Sequence, residues 1–587
     1  MKLPALKRIN TSRSMVDVFK GYNHNLRIGD GEFYEMTNLT SDDYPVLSPR
    51  RKRGVFVTNS DGTTPTSPTG MIAKDSFCYV EGSKFIINGY GEIDMGLTDD
   101  PKNLVSMGAY VIIMPDKQYI NTADLTDYGP IEATVETSAA VTFELCKIDG
   151  TDYGDTVVGD TAPESPENMA LWLDTASTPN VLKQYSTASS QWTSVATTYI
   201  KISSSGIGTP FAEGDGVTIS GIKDADLADL NNTMVVWARG DGYIVVKGII
   251  NRVYTQEVSD GKISITRKMP NMDFIIESGN RLWGCRYGLA LNGQVVNEIY
   301  ASKLGDFKNW NSFASISTDS YVATLGTDGQ FTGAITHNGY PLFFKENCVH
   351  KVYGNYPANY QVQTTACRGV QKGCDKSLAI VNETLYYKAR SAVCAYDGSL
   401  PVEISNALGD ISYSDAVAGA LGNKYYISMK DERGVYNLFV YDTKKGMWHR
   451  EDDTQVTNFC NCRGELYYID YADKQIKTVR GTGMVYEDAV KWEAVTGIIG
   501  IYTPDKKYVS RIDVRMSLSL GTRATIYAEY DSSGAWEHIL AMEGASLRTV
   551  AVPVRSKRFD HLRLKIVGTG DVKIFSITKT IAQGSDV

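Results

Sequence analysis

The chain has 587 residues, with 59 Lys and Arg against 68 Asp and Glu, giving a formal net charge of −9. That length exceeds one ordinary core and predicts two to four domains, and so small a charge argues against a bulk nucleic-acid coat protein, leaving only local patches. Gly at 53 and Tyr at 36, against 18 Pro, favour many short strands and tight turns over helices.

The start, MKLPALKRIN, lacks the apolar stretch of a signal peptide. The longest apolar runs, such as YVIIM at 110–114, are strand-sized, so no membrane-spanning segment is expected. Nine cysteines are scattered, and neither Cys460 with Cys462 nor Cys367 with Cys374 has a matching second pair at zinc-site spacing. Reduced, mostly buried thiols in a protein assembled in cytoplasm are expected.

Residues 1–56 are dense in Gly, Asn, Asp and Pro and read as an extended arm crossing a surface. The arm holds ten Lys and Arg against six Asp and Glu, a charge of +4 that leaves −13 for the rest. The run Arg50, Arg51, Lys52, Arg53, directly after Pro49, concentrates this excess. It reads either as a contact to nucleic-acid phosphates or as a solvated or intersubunit basic patch. No aromatic residues interleave with it, which weakens a single-strand-binding reading.

Residues 57–125 carry two alternating β units around Gly-containing turns and are read as the first blades of a propeller. Residues 126–265 turn rich in Thr, Ser and Asp, and are read as an inserted small β region. Within it, 164–202 predicts a three-strand meander with turns at 177–180 and 186–190, followed by the alternating strands of a small barrel. Trp172, Tyr185, Trp192, Trp237 and Tyr243 are either the core of this insertion or a sugar-stacking platform.

The propeller resumes over 266–484, where a repeat is visible. Leu385, Tyr425 and Leu466 each follow a small polar turn and open a Tyr-rich run, at steps of 40 and 41 residues. Leu342 lies 43 residues before Leu385, and Leu282 opens a looser unit 60 residues earlier. A four-stranded blade has this length, so about six or seven blades are expected. The Asp306–Trp310 stretch resembles Asp442–Trp448, as a Trp closing each blade against its neighbour would. Residues 485–587 alternate with period two and predict an antiparallel β-sandwich. Val509, Ile512, Val514, Met516, Leu518 and Leu520 would line its inner face, with a bulge or register change near Ile512. The fold class is therefore all-β: a propeller with a β insertion and a C-terminal sandwich.

No catalytic motif is visible. The six histidines are dispersed, and no nucleophile elbow, phosphate loop or dinucleotide fingerprint occurs. Asp306, Asp319, Asp328 and Asp397 can converge on a propeller axis as glycosidase carboxylates do, but Asp328-Gly329 and Asp397-Gly398-Ser399 have turn chemistry. Asp149, Asp152, Asp155 and Asp160 lack calcium-loop spacing. The chain is accordingly expected to be no enzyme, with no metal and no cofactor.

Three segments carry a family resemblance. Asn25–Arg50 (NLRIGDGEFYEMTNLTSDDYPVLSPR), Ser302–Val362 and the C-terminal KRFDHLRLKI…GSDV are similar to a virion family of tailed bacteriophages, the tail nozzle (tail tubular protein B) and packaged-DNA-stabilising hub proteins. The inserted PEN..LWLDT…PNVLKQY…W resembles small β modules of phage tail and fibre proteins. The resemblance implies a β-propeller structural subunit located in the virion tail after assembly in the host cytoplasm. Its implied partners are copies of itself in a ring, usually a hexamer, a tail adaptor or portal-complex protein, and exiting double-stranded DNA. A tail component or fibre adaptor that binds a host receptor or surface glycan through the insertion is the alternative.

Overall fold

The computed structural model describes residues 11–58, 62–290, 293–482, 485–502, 506–552 and 558–583. It is all-β and propeller-like, the only helices among the described residues being short 3-10 turns. The chain divides into two compact units: Met1–Leu104, Phe343–His350 and Thr364–Val587 form the first, and Val105–Leu342 with Lys351–Gln363 the second.

Six four-stranded meanders of blade type, and a seventh blade completed by a distant strand, occur among the described residues. Blade 1 is built from Pro68–Ala73, Phe77–Glu81, Lys84–Ile87 and Gly91–Asp94, and blade 2 runs from Asn103–Met107 to Tyr128–Pro130. Blade 3 runs from Phe274–Ser278 to Tyr321–Thr324 and blade 4 from Gly333–His337 to Gln361–Ala366, the latter divided between the units. Blade 5 runs from Ala379–Val381 to Val402–Glu403 and blade 6 from Tyr413–Leu421 to Met447–Arg450. Blade 7 has Val456–Cys462, Glu465–Asp470 and Ile476–Thr478 from its own stretch of chain.

The repeated Leu and Tyr positions fall on the second strand of each blade. Leu385, Tyr387, Tyr425 and Leu466 are all completely buried, and Tyr468 nearly so. Alternation sends Leu385 and Tyr387 to one face and Tyr386 to the other. Tyr386 meets Tyr425 of the next blade at 5.4 Å between ring centres, and the Tyr425 hydroxyl donates to the carbonyl of Ser377 at 2.8 Å. The Tyr pairs are thus blade core and blade seam.

The fourth strand of blade 7 comes from the other end of the chain. Gly54–Val55 pairs antiparallel with Ile476–Thr478, and the Phe56 amide donates to the Ile476 carbonyl at 2.8 Å. Phe56 then packs among Phe77, Tyr79 and Tyr467, so blades 7 and 1 share one apolar cluster with Met71, Cys460, Cys462 and Ile469. The innermost strands of blades 5, 6, 7 and 1 pack in succession, which is propeller order.

The segment read as an arm is, from Thr11 onward, woven into the chain's own sheets. Glu32–Thr37 pairs with Lys491–Thr496 of the C-terminal region, and lies parallel to Gly21–Tyr22, which meets blade 6 at Tyr22 opposite Trp448. One continuous sheet therefore runs from the C-terminal strands through the arm into blade 6. Phe33, Met36 and Leu39 are fully buried along this strap. Gly21 sits at φ 83°, and a Cβ there would lie 2.3 Å from the Trp448 carbonyl oxygen, so the close approach requires glycine. Trp448 is an outer-strand residue whose indole donates to the Ile404 carbonyl of blade 5 at 2.7 Å. Trp310, by contrast, lies in the loop between the third and fourth strands of blade 3, buried against Tyr119 and Ile112 of blade 2.

In the C-terminal region one long strand, Lys507–Tyr530, pairs over its first half with Val572–Gln583 and over its second with Leu562–Thr569. Glu537–Val552 lies along its other edge. Val509, Ile512, Val514, Met516 and Leu518 are buried, and the pairing slips between Val509 and Arg511, where the alternation breaks. Leu520 is the exception and is fully exposed. Pairing with Glu537–Val552 slips between Leu518 and Arg523, and Gly521 takes φ 79°, so the strand leaves the inner face there.

In the second unit, two sheets of the inserted region close on one core that includes Phe143, Ile200, Ile202, Val217, Ile219, Ile244 and Ile265. A separate four-stranded sheet, Thr156–Gly159, Leu171–Asp174, Val181–Ser186 and Gln191–Ser194, adds a parallel first strand to the expected three-strand meander.

Truncating the closure residue tests this architecture. Phe56→Ala is expected to cost about 3–5 kcal/mol, the range for a fully buried Phe, read as a lower urea midpoint and faster proteolysis near residue 54. A loss below about 1 kcal/mol would show that the strand does not lock blade 7.

Candidate functional site

The basic run splits into two halves with opposite roles. Ser48–Pro49 pairs with Leu39–Thr40, and the side chain of Arg50, the next residue, is buried. Its guanidinium donates to both carboxylate oxygens of Glu487 and, through Nε, to Asn38 Oδ1 at 2.7 Å. Three residues on, Arg53 is buried as well. It donates to Glu451 Oε2 at 2.6 Å, Asp452 Oδ2 at 2.8 Å and Thr454 Oγ1 at 3.0 Å, and lies 5.6 Å from the centre of the Tyr468 ring. Burial alone would favour the neutral form of Arg53, but Tyr468, Asp452 and Glu451 hold it charged. Burial likewise pushes Asp452 up, and the neighbouring Arg53 and Arg50 with the Thr454 hydrogen bonds outweigh this, bringing it down to about 2. Arg50 and Arg53 are therefore internal counter-ions, and only Arg51 and Lys52 are exposed.

Beside this network a cavity of about 410 Å³ opens, bordered by Arg50 and Arg51 and by Lys424, Lys445 and Arg480 from blades 6 and 7. These three lie hundreds of residues from the arm, so no local motif could reveal them.

The five aromatic residues also divide. On the sheet Thr156–Ser194, cross-strand pairing puts Val157, Trp172, Lys183, Tyr185 and Trp192 on one face. Leu171, Leu173 and Leu182 take the opposite face and pack against Leu145, Tyr153 and Ile249. Trp172 and Trp192 meet at 5.5 Å and 68°, and Tyr185 and Trp192 at 5.2 Å and 57°. Trp172 is the buried member, its indole donating to the Gly159 carbonyl at 3.0 Å, while Tyr185 and Trp192 are half-buried and Val157 is exposed. Lys183 bonds Asp174 at 2.8 Å and sits 4.8 Å over Trp172. Trp237 and Tyr243 lie elsewhere, packed against Cys146, Tyr199, Ala238 and Val245 of the barrel. Three of the five thus form one aromatic cluster, of which Tyr185 and Trp192 reach solvent, and two serve the barrel.

The four weighed aspartates are engaged locally. Asp397 accepts from the Ser399 amide and hydroxyl, and Asp328 from the Gly329 amide and the Tyr287 hydroxyl. Asp306 accepts from the Lys308 amide and Asn309, and Asp319 from the Ile316 amide. Asp149 and Asp152 form similar turns at Thr151 and Gly154. Among the described residues no group of three or more His, Cys, Asp or Glu side chains is placed to hold a metal ion, and no helix is long and apolar enough to cross a membrane.

No family model and no curated protein matches the chain. Among solved structures it is similar to an exo-beta-1,3-galactanase from Phanerochaete chrysosporium, at 9% identity and a TM-score of 0.20, over 52% of this chain and 94% of that one. A glycoside hydrolase family 43 arabinoxylan arabinofuranohydrolase from Bacillus subtilis matches at 9% identity and a TM-score of 0.16, over the same shares. PorZ, a surface component of the type-IX secretion system of Porphyromonas gingivalis, matches at 11% identity and a TM-score of 0.26, over 88% of this chain and 77% of that one. These likenesses concern the fold and transfer no substrate. The expectation of no enzyme is withdrawn: glycoside hydrolases recur among the similar structures, a likeness of fold that assigns no activity to this chain. The physical reason is general: a propeller gathers loops from every blade, so functional groups converge without any contiguous motif.

The Arg53–Asp452 pair makes a pH-dependent contribution. A carboxyl lowered from 3.8 to about 2 adds about 2 kcal/mol of stability above pH 4. This contribution is lost as pH falls from about 4 to about 2. Asp452→Asn is expected to remove that slope from the pH dependence of the urea midpoint; an unchanged slope would show that Asp452 is not held by Arg53.

Proposed function

We propose that this chain is a tail subunit of a tailed bacteriophage, a nozzle or hub that assembles with copies of itself into a ring around the DNA exit channel and contacts a tail adaptor. The observation that carries this reading is the role of Asn25–Arg50. This segment, one of the three that resemble the virion family, is the strap that joins blade 6 to the C-terminal sheet, with Phe33, Met36 and Leu39 in the core. A resemblance carried by residues the fold depends on is supported by more than surface composition. Blade 7, completed by the chain's own N-terminal strand, also supplies part of the stiff scaffold that a ring subunit requires. The expected assembly is six copies. Native mass spectrometry of the purified chain, alone and with its tail adaptor, is expected to give multiples near six times 64.6 kDa. A strictly monomeric chain under both conditions would remove the ring reading.

A second reading has its own observation, the half-buried Tyr185 and Trp192 on one sheet face, backed by the buried Trp172. Half-buried aromatic rings held on a rigid sheet present apolar faces against which sugar rings stack. In this reading the inserted region engages a host-surface glycan while the propeller anchors it in the tail. Trp192→Ala in the full chain is expected to reduce binding to host cell-wall polysaccharide at least tenfold while lowering the thermal midpoint only slightly, because Trp192 is only half-buried. Equal binding by variant and parent would remove this reading.

A further inference from the structure

We propose that the cavity between the arm and blades 6 and 7 is a binding site for phosphate-bearing ligands, with Arg51 and Arg480 as its ligating pair. Its chemistry rests on geometry alone; the identification of duplex DNA as the natural source of phosphate rests on the tail reading above.

The cavity holds about 410 Å³ and is bordered by five cationic side chains and three carboxylates. The cations fall into two classes. Lys424 bonds Asp42 and the Thr40 hydroxyl at 2.6 and 2.7 Å, and Lys445 bonds the Ser41 carbonyl at 2.5 Å with Asp442 at 3.3 Å. Arg50 is absorbed by Glu487 and, at longer range, Glu451 and Asp452. These three are neutralised within the fold. Arg51 and Arg480 form no ion pair among the described residues: Arg51 acts only at range on the Asp42 carboxylate, which Lys424 already bonds, and the Arg480 side chain makes one hydrogen bond, to the Gly464 carbonyl at 3.1 Å. Both are exposed at the cavity, and Arg480 Nη2 stands over the Gly422 turn, 3.8 Å from where a Cβ would be.

The balance of the cavity is therefore two charges in excess, both guanidinium. Guanidinium forks match the paired oxygens of a phosphate better than ammonium groups do. Leu421 and Val479 supply apolar lining, which lowers the local dielectric and strengthens any charge contact made there. The site joins residue 51 to residue 480, so it exists only once the arm strand Gly54–Val55 is seated on blade 7.

The test uses the full chain and a fluorescent 20-base-pair duplex, read by anisotropy across a salt series, with pyrophosphate as the small competitor and sulfate at matched ionic strength as control. Arg51→Ala with Arg480→Ala is expected to weaken duplex binding at least tenfold and to reduce the slope of log affinity against log salt by about two. Lys52→Ala, outside the cavity, is expected to change binding less than threefold. Thermal melting of the double variant checks that the fold is intact, since neither guanidinium is a counter-ion. Pyrophosphate that binds and depends on the two arginines, with no duplex binding, supports the site with a small phosphate as its ligand. Binding of neither probe by the parent chain, or equal binding by parent and double variant, overturns it. A six-fold ring with binding indifferent to the arginines would overturn the site and leave the tail reading; a monomer whose phosphate binding depends on them would do the reverse.

Discussion

Backbone pairing between the first 56 residues and strands laid down some 400 residues later is the constraint on which the first unit depends. Gly54–Val55 completes blade 7, Glu32–Thr37 joins the C-terminal sheet, and Gly21–Tyr22 reaches blade 6. Each is short, and a short strand gains little by itself. What holds them is the alternative: blade 7 without its fourth strand and the C-terminal strand Lys491–Thr496 without its neighbour would leave buried backbone groups unpaired. Loop closure over such separations grows only logarithmically with length, so the cost of distance is modest beside the hydrogen bonds and apolar burial gained.

The same strap organises the charges. Pairing and turn geometry carry Arg50 and Arg53 into the protein, where Glu451, Asp452 and Glu487 meet them, and leave Arg51 and Lys52 outside. A buried guanidinium without carboxylates would be prohibitive, so the two inward arginines and the acids of blades 6 and 7 require one another. The two outward cations are under no such requirement and are free to act on something else. The aromatic residues of the insertion obey a similar division, since one face of the sheet is committed to Leu171, Leu173 and Leu182. The other face is left to Trp172, Tyr185 and Trp192.

Much of the fold was legible because it is periodic. The 40-residue step found the second strand of blades 5, 6 and 7, and the break in alternation near Ile512 found the register slip at Val509–Arg511. Where periodicity stops, sequence reasoning stopped too. Leu520 continues the alternating pattern yet lies in water, because the strand bends where its pairing slips. Trp310 and Trp448 sit in similar strings but occupy a loop and a strand. The basic run was visible as four residues in a row, while its division into inward and outward pairs needed partners in blades 6 and 7. Absence of a motif could not establish absence of activity, since a propeller brings its loops together in space.

The sequence by itself determined the β class, the blade length and the placement of the insertion as a region of different composition. All of these follow from local pattern, in which each residue needs only its near neighbours. Tertiary structure alone decided that the arm is a set of strands within its own fold, that Arg53 is a core residue, and that Arg51 and Arg480 border one cavity. Those are long-range pairings, set by which unpaired edge and which unpaired charge lie within reach once the blades have formed.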